Sequence, residues 1–243
     1  MSIRVVGLAL PFVIGIGLVV SSCSSSSGTA KPGASATGAA SSATASASPT
    51  ASSPAASVPA GYTRVGGAAQ GISVAVPASW VSIDLAKEAI DSAASKIGLS
   101  GISASTLIQD MQSLQKLHGV FVVDVKSAVD TSQHFADNLS AYCVASGVNN
   151  VGSSAVPLIT QEMTAEFQKI GATHLTEKNV QIGGVPGVET SYQLSSSGAG
   201  TLYGSQLEVL PKPNSACFVT LTLGQGESAG NILSTAAATA QFP

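Results

Sequence analysis

The chain has 243 residues, of which only 9% are charged, and ten basic residues against thirteen acidic ones leave a formal net charge of −3. So little positive charge offers no basic stripe to neutralise phosphates, which excludes nucleic acid as a partner. The residues beyond position 60 are enough to bury one core of ordinary size without metals or many disulfides.

The first element in chain order is a secretory signal. Arg4 forms a basic n-region, Val5 to Val20 an apolar run, and Val20-Ser21-Ser22-Cys23 reads as a lipobox. Residues 1–22 are then a lipoprotein signal peptide, and Cys23 becomes the first mature residue with a diacylglyceryl group on its thiol. Acyl chains hold to a bilayer by about 0.8 kcal/mol per buried methylene. A membrane span is the weaker reading, because a span needs about 20 apolar residues and this run is interrupted by Pro11 and followed by no basic stop. The expected location is the extracytoplasmic face of the cell membrane, with the membrane itself a partner through the anchor.

Residues 23–60 are the lipidated cysteine and a Ser, Ala, Thr, Gly and Pro tract with a single charge at Lys31, which cannot form a core. As a flexible coil it reaches about 30 to 35 Å, and its composition suits O-glycosylation. With Cys23 consumed, Cys143 and Cys217 remain in an oxidising compartment and have one possible pairing. Closing that loop stabilises by up to about 4 kcal/mol on the chain-entropy model; two buried free thiols are the alternative.

Residues 61–243 read as a single α+β domain. Ile72, Val74 and Val76 alternate as one buried strand face before Pro77-Ala78-Ser79-Trp80 stops it. Ile83, Ala86, Ile90, Ala93 and Ile97 recur at helical spacing, with Asp84 as a cap and Gly98 as the stop. A second helix carries Leu107, Met111, Leu114 and Leu117 and ends at Gly119. Val120 to Val125 predicts a strand covered on both faces, and Leu139 to Ala145 a looser one with Cys143 on the face of Leu139 and Ala141.

A helix capped by Ser153 or Ser154, with Pro157 in its first turn, presents Val156, Ile159, Met163, Phe167 and Ile170 on one stripe. A meander follows: Thr173 to Ile182, a turn over Gly183 to Gly187, then Val188, Thr190, Tyr192 and Leu194 alternating with Glu189, Ser191 and Gln193, so that one face is wet. Tyr203, Ser205, Leu207 and Val209 form the next strand, Pro211 to Asn214 turn it, and Cys217, Val219, Leu221 and Leu223 return. A helix from about Ser228 to Gln241 closes the domain. The order implies an antiparallel sheet flanked by helices.

The segments GISVAVPASW, PLITQEMTAEFQKIG, VQIGGVPGVETSYQL and ACFVTLTLG together resemble the LpqN-type lipoproteins of actinobacteria, which are similar in fold to the Mog1/PsbP superfamily. The resemblance spans nearly all of residues 61–243. It implies a curved antiparallel sheet between helices, used as a non-catalytic binding or assembly module, and it carries over no catalytic residue.

Local signatures for chemistry are absent: no Gly-x-Ser-x-Gly, His-Glu-x-x-His, phosphate loop or Cys-x-x-Cys occurs. No catalytic residue, cofactor or metal is therefore assigned. His118, His134 and His174 fall on different elements; Asp130, His134 and Asp137 would share a face only if helical, and a solvated loop is the expectation there. Asp124 is expected to reach solvent or pair with Lys126, Trp80 to pack in the core, and Tyr192 and Tyr203 to pair across facing strands. The expected function is a membrane-anchored, non-catalytic lipoprotein that docks on an unknown envelope protein, through a surface at Val185, Pro186 and Gly187. The alternative is a carrier of a hydrophobic envelope lipid or glycolipid held between the sheet and the helices of Ile83 to Leu117. A hydrolase without a recognisable motif comes third.

Overall fold

The computed structural model describes residues 57–85, 111–128, 135–196 and 200–243. The expected signal segment, Cys23, nearly all of the expected tether, and residues 86–110, which carry most of the two helices expected there, lie outside the described residues.

Nine strands and two longer helices make up the described chain: β1 (Tyr62–Gly67), β2 (Ile72–Pro77), β3 (Val81–Ile83), β4 (Val120–Val123), β5 (Asn138–Ala145), α1 (Val156–Lys169), β6 (Thr173–Ile182), β7 (Val185–Ser196), β8 (Gly200–Lys212), β9 (Ser215–Leu223) and α2 (Ile232–Thr239). β1 and β2 form a hairpin of their own. The others build a seven-stranded sheet in the order β3-β4-β5-β9-β8-β7-β6, antiparallel at every pairing. An antiparallel sheet with helices on it is the α+β class that the element order implied.

The period of two along each strand divides the interior in two. On face one, Leu139, Ala141, Leu207, Val209, Val219 and Leu221 pack against Ile72, Val74 and Val76 of β2, Trp80, and Leu233, Ala236 and Ala237 of α2. Trp80 is thus a core residue, as expected. On face two, Phe121, Val123, Tyr142, Val188, Tyr192 and Phe218 pack against Ile159, Met163 and Phe167 of α1 and against Met111 and Leu114.

The C-terminus fastens face one. Ser73 and Gln241 exchange backbone hydrogen bonds of 3.0 and 2.9 Å, and the Gly183 amide donates to the Ala237 carbonyl. The Ala75 amide donates to Thr239 Oγ1 at 2.9 Å. The small residues of α2 let the helix lie close to β2, so the separate hairpin is bolted to the sheet through the last helix.

Several local expectations change. Ile83 ends strand β3 and does not open a helix: Val81, Ser82 and Ile83 pair with Val123, Val122 and Phe121, because a β-branched edge beside β4 satisfies more backbone than a helical start would. Residues 111–116 are helical as predicted, yet the left-handed residue at their end is His118, with φ 53°, while the Gly119 amide donates back to the Leu114 carbonyl at 2.8 Å. Glycine serves there for space, since a Cβ on it would sit 2.8 Å from Leu114 Cδ2.

α1 is not capped by Ser153 or Ser154. Both lie in a 3-10 turn, and Ala155 occupies the N-cap; Ser154 Oγ instead donates to the Val151 carbonyl. Its stripe is as expected, with Ile159, Met163 and Phe167 buried. β1 was not legible in Tyr62-Thr63-Arg64-Val65-Gly66-Gly67, which has too little apolar alternation.

Cys143 and Cys217 are joined, as expected, and are directly opposed partners on β5 and β9 with Cα atoms 4.1 Å apart. Gly71, at φ 69°, lies against the bridge, a Cβ on it falling 3.4 Å from Cys143 Cβ. The bridge joins strands already held by a continuous ladder, so its contribution falls below the loop-entropy figure of about 4 kcal/mol.

Phe167 is fully buried and its ring centroid lies 4.1 Å from that of Tyr192. Phe167→Ala is expected to cost about 3–5 kcal/mol in chemical denaturation, with the loss of the α1 contact to the sheet as its cause.

Candidate functional site

The expected surface at Val185, Pro186 and Gly187 is not a loop. The turn is Gly183-Gly184 alone, both at positive φ (57° and 80°), which makes a two-residue hairpin of the primed type. Val185, Pro186 and Gly187 are already strand, facing Ile182, Gln181 and Val180. Val185 is half-buried against the face-one core, and a Cβ at Gly187 would come 2.4 Å from the Glu208 carbonyl oxygen. A run of Gly and Pro looked like a loop, but two glycines suffice to reverse the chain.

The other candidates are placed as follows. Asp130 and His134 lie outside the described residues. His118 and His174 are exposed, and no group of metal-holding side chains occurs among the described residues. The Asp124 carboxylate accepts the Lys126 backbone amide at 3.0 Å, capping the helical turn Val125–Ala128. Tyr192 and Tyr203 do not pair. Tyr192 faces Gly204, and Tyr203 faces Gln193, so the two rings point to opposite faces. Tyr192 lies flat over Gly204, where a Cβ would meet its Cζ. Tyr203 is 38% exposed.

Asp137 is buried at the far end of β9, where its Oδ1 accepts the Gly224 amide at 2.7 Å. Burial raises its pKa to about 6 against the lowering effect of that hydrogen bond, with Glu227 and Asp124 adding repulsion.

The densest polar grouping is one that the sequence patterns did not single out. On face two, strand register sets Thr190 of β7 beside Gln206 of β8, Gln206 beside Thr220 of β9, and Thr220 beside Ser140 of β5. This polar row crosses four strands on face two, its β7 and β8 end beneath α1 and continued on β6 by Glu177 beside Thr190. Thr190 is 0%, Gln206 3% and Ser140 2% exposed. Thr220 is half-exposed, so solvent reaches the row on the β9 side. In the next row Glu208 sits between Val188 and Phe218, and Phe218 stacks on Tyr142 with centroids 5.1 Å apart. The row on the other side holds Tyr192, Gly204 and Thr222. Two aromatic pairs, Tyr142 with Phe218 and Phe167 with Tyr192, therefore flank a polar strip.

Hydrogen bonding within the strip is thin. Thr220 Oγ1 donates to Gln206 Oε1 at 3.0 Å, and Thr190 Oγ1 has Met163 Sδ as its partner at 3.4 Å, a weak acceptor. Glu208 is 6% exposed, and no described residue hydrogen-bonds or ion-pairs its carboxyl. Burial pushes its pKa up to about 8, helped by repulsion from Glu162 of α1. The Glu162 carboxyl is raised too, again by burial. The Tyr192 phenol is fully buried and held far above its ordinary range by burial, with a smaller contribution from Tyr142.

A carboxyl in this state is neutral at pH 7, able to donate one hydrogen bond and to lose its proton to solvent when a cation takes up a place beside it. The sequence did hold a signal. α1 presents an apolar stripe that must be covered, and only the alternate residues of β7 and β8 could cover it, so Thr190, Gln206 and Glu208 had to be inside.

No protein-family model and no curated protein matches the chain. Similar solved structures include a Bacteroides thetaiotaomicron protein (14% identity, TM-score 0.41), covering 74% of this chain and 48% of its own. The solution structure of cyanobacterial PsbP from Synechocystis is another, at 11% identity and TM-score 0.42, covering 76% of this chain and 94% of its own. A Pseudomonas aeruginosa protein of unknown function covers 41% and 66%, at 17% identity and TM-score 0.31. The chain thus spans about half the length of the Bacteroides protein.

Two outcomes follow from this geometry. Val185→Asp places a charge against the face-one core and is expected to lower stability by about 1–3 kcal/mol, read by denaturant titration. The second is a pH dependence of stability. Glu208 keeps its proton in the fold up to about pH 8 but loses it in the unfolded chain near its ordinary value. Stability therefore falls as pH rises between about 4.5 and 8 and levels off above, with Asp137 adding the same sign up to about pH 6. Glu208→Gln should flatten the upper part of that fall and exceed the wild type at pH 9 by on the order of 2 kcal/mol.

Proposed function

We propose that this protein is a membrane-tethered, non-catalytic binding protein that receives a small envelope molecule on face two of its sheet, at the strip around Glu208. In this reading Cys23 carries the lipid anchor at the extracytoplasmic face, and the tract that follows it sets the reach of the domain. The observation that carries the proposal is the Glu208 carboxyl, 6% exposed and without a hydrogen-bond or ion-pair partner among the described residues. Burying such a group costs stability, and nothing in the fold gains from it. A residue that weakens the free protein is one kept for what it does when a ligand is present.

The site fits a binder better than an enzyme. Its hydroxyls at Thr190, Thr220 and Ser140 have no histidine or lysine beside them among the described residues, so none is activated as a nucleophile. The sequence shows no local hydrolase or redox signature.

Docking on an envelope protein is the second reading, favoured by β6. It is a ten-residue edge strand, and within the described residues it pairs only with β7, leaving a free backbone row for strand addition. The wet side of the meander supports docking less: Glu189, Ser191, Gln193 and Ser205 are half-buried polar residues, and among the described residues Tyr203 is the one large apolar group exposed beside them.

The anchor is tested by detergent partitioning. Cys23→Ser should move the protein from the detergent phase to the aqueous phase or leave it unprocessed, and equal partitioning of both forms after signal removal would contradict the anchor. The binding reading is tested by native purification from membranes with mass spectrometry of co-eluting molecules. Wild type should carry a molecule that Glu208→Gln lacks, while the variant remains folded. Steady turnover of an ester or glycoside that Glu208→Gln abolishes would make the protein an enzyme instead.

A further inference from the structure

Anions are the class of ligand the face-two strip cannot take. Three carboxyls lie on that face, Glu208 from β8, Glu162 from α1 and Glu177 from β6, the last beside Thr190 and bonded by the Thr164 hydroxyl of α1, and no Lys, Arg or His of the described residues faces them. Lys169 is 68% exposed and pairs with Glu166, Lys178 is engaged by Glu189 at 2.9 Å on the other side of the sheet, and Lys116, on the helical segment beside face two, is exposed. A phosphate or carboxylate would enter a low-dielectric space holding only groups of its own sign.

A cation would find what the strip lacks. Its charge would give Glu208 the partner that no described residue supplies and would relieve the repulsion from Glu162. One ring suits such a ligand, because Phe218 is the register partner of Glu208 on the same face of the sheet and stacks on Tyr142 on its far side, and aromatic faces attract ammonium groups. The Tyr192 phenol and the Gln206 amide nitrogen, both buried and without a hydrogen-bond partner among the described residues, add polar contacts for the rest of the molecule.

Resting on the reading of face two as the ligand site, we infer that the ligand carries a positively charged nitrogen, as an amine or quaternary ammonium, bound between Glu208 and Glu162 and beside Phe218. Binding such a cation converts Glu208 to its carboxylate and releases one proton. Affinity should therefore rise about tenfold per pH unit until Glu208 ionises on its own, and then level off.

The experiment uses the full-length lipidated protein in detergent, titrated calorimetrically at pH 6, 7, 8 and 9 with choline, with butylamine, and with 3,3-dimethylbutan-1-ol, the uncharged isostere of choline. At least one cation should bind saturably, about fiftyfold more tightly at pH 8 than at pH 6, with proton release detected by changing the buffer. The alcohol should not bind. Glu208→Gln should weaken the cation at least thirtyfold at pH 8 while the variant melts no lower than wild type, and Glu162→Gln should weaken it less. Binding of the alcohol as tightly as of choline, or binding indifferent to pH, would overturn the cation. If neither cation binds but an uncharged molecule is recovered from the native protein and lost in Glu208→Gln, the cation inference fails and the binding site stands. If nothing binds and nothing is recovered, both fail.

Discussion

A strand sends successive side chains to opposite faces, so a single antiparallel sheet that is covered on both sides has no outside in its middle. That constraint governs this molecule. β2 and α2 cover face one, α1 and the helical segment at residues 111–116 cover face two, and every residue of β8 from Gln206 to Leu210 is buried as a result. The apolar members, Leu207 and Val209, were bound to be inside. The polar ones between them, Gln206 and Glu208, were carried in by the same periodicity. A carboxyl that would sit in water on a one-sided sheet here lies beneath a helix.

Much of the fold follows from patterns in the chain. The stripe Ile159, Met163 and Phe167, the strand bounds of Thr173 to Ile182, the β-branched run at Val120 and the opposed cysteines each rest on spacing that a single element determines, and each is found. What fails depends on more than one element. Ile83 has a helical spacing to its successors, yet pairing with β4 claims it. Gly183 to Gly187 reads as a long turn, yet two glycines complete it and Val185 goes to the core. Tyr192 and Tyr203 look like partners until the register, one residue different, sends them to opposite faces.

The site was the least legible part for the same reason. Alternation alone assigned Val188, Thr190 and Tyr192 to one face and left the face of Gln206 and Glu208 unassigned. The covering helix decides it, and its own apolar stripe was the clue. With α1 laid over β7, the polar row Thr190, Gln206, Thr220 and Ser140 becomes the floor of an interior strip flanked by two aromatic pairs. The fold tolerates that strip at some cost, since Thr190 finds only a thioether and Glu208 finds no partner among the described residues. On the proposed reading stability and ligand affinity are opposed at one residue, a division familiar wherever a binding group is held ready in low dielectric.

Binding at the strip turns on the ionisation of one side chain. The most direct measurement is a carbon-13 NMR titration of the Glu208 side-chain carboxyl in the ligand-free protein, assigned by its loss in Glu208→Gln. The structure predicts a midpoint about pH 8, with a carboxylic acid signal still present at neutral pH. A midpoint near 4.5, the ordinary value for glutamate, would mean that Glu208 is solvated or paired, and the strip would lose the property on which its assignment as a site depends.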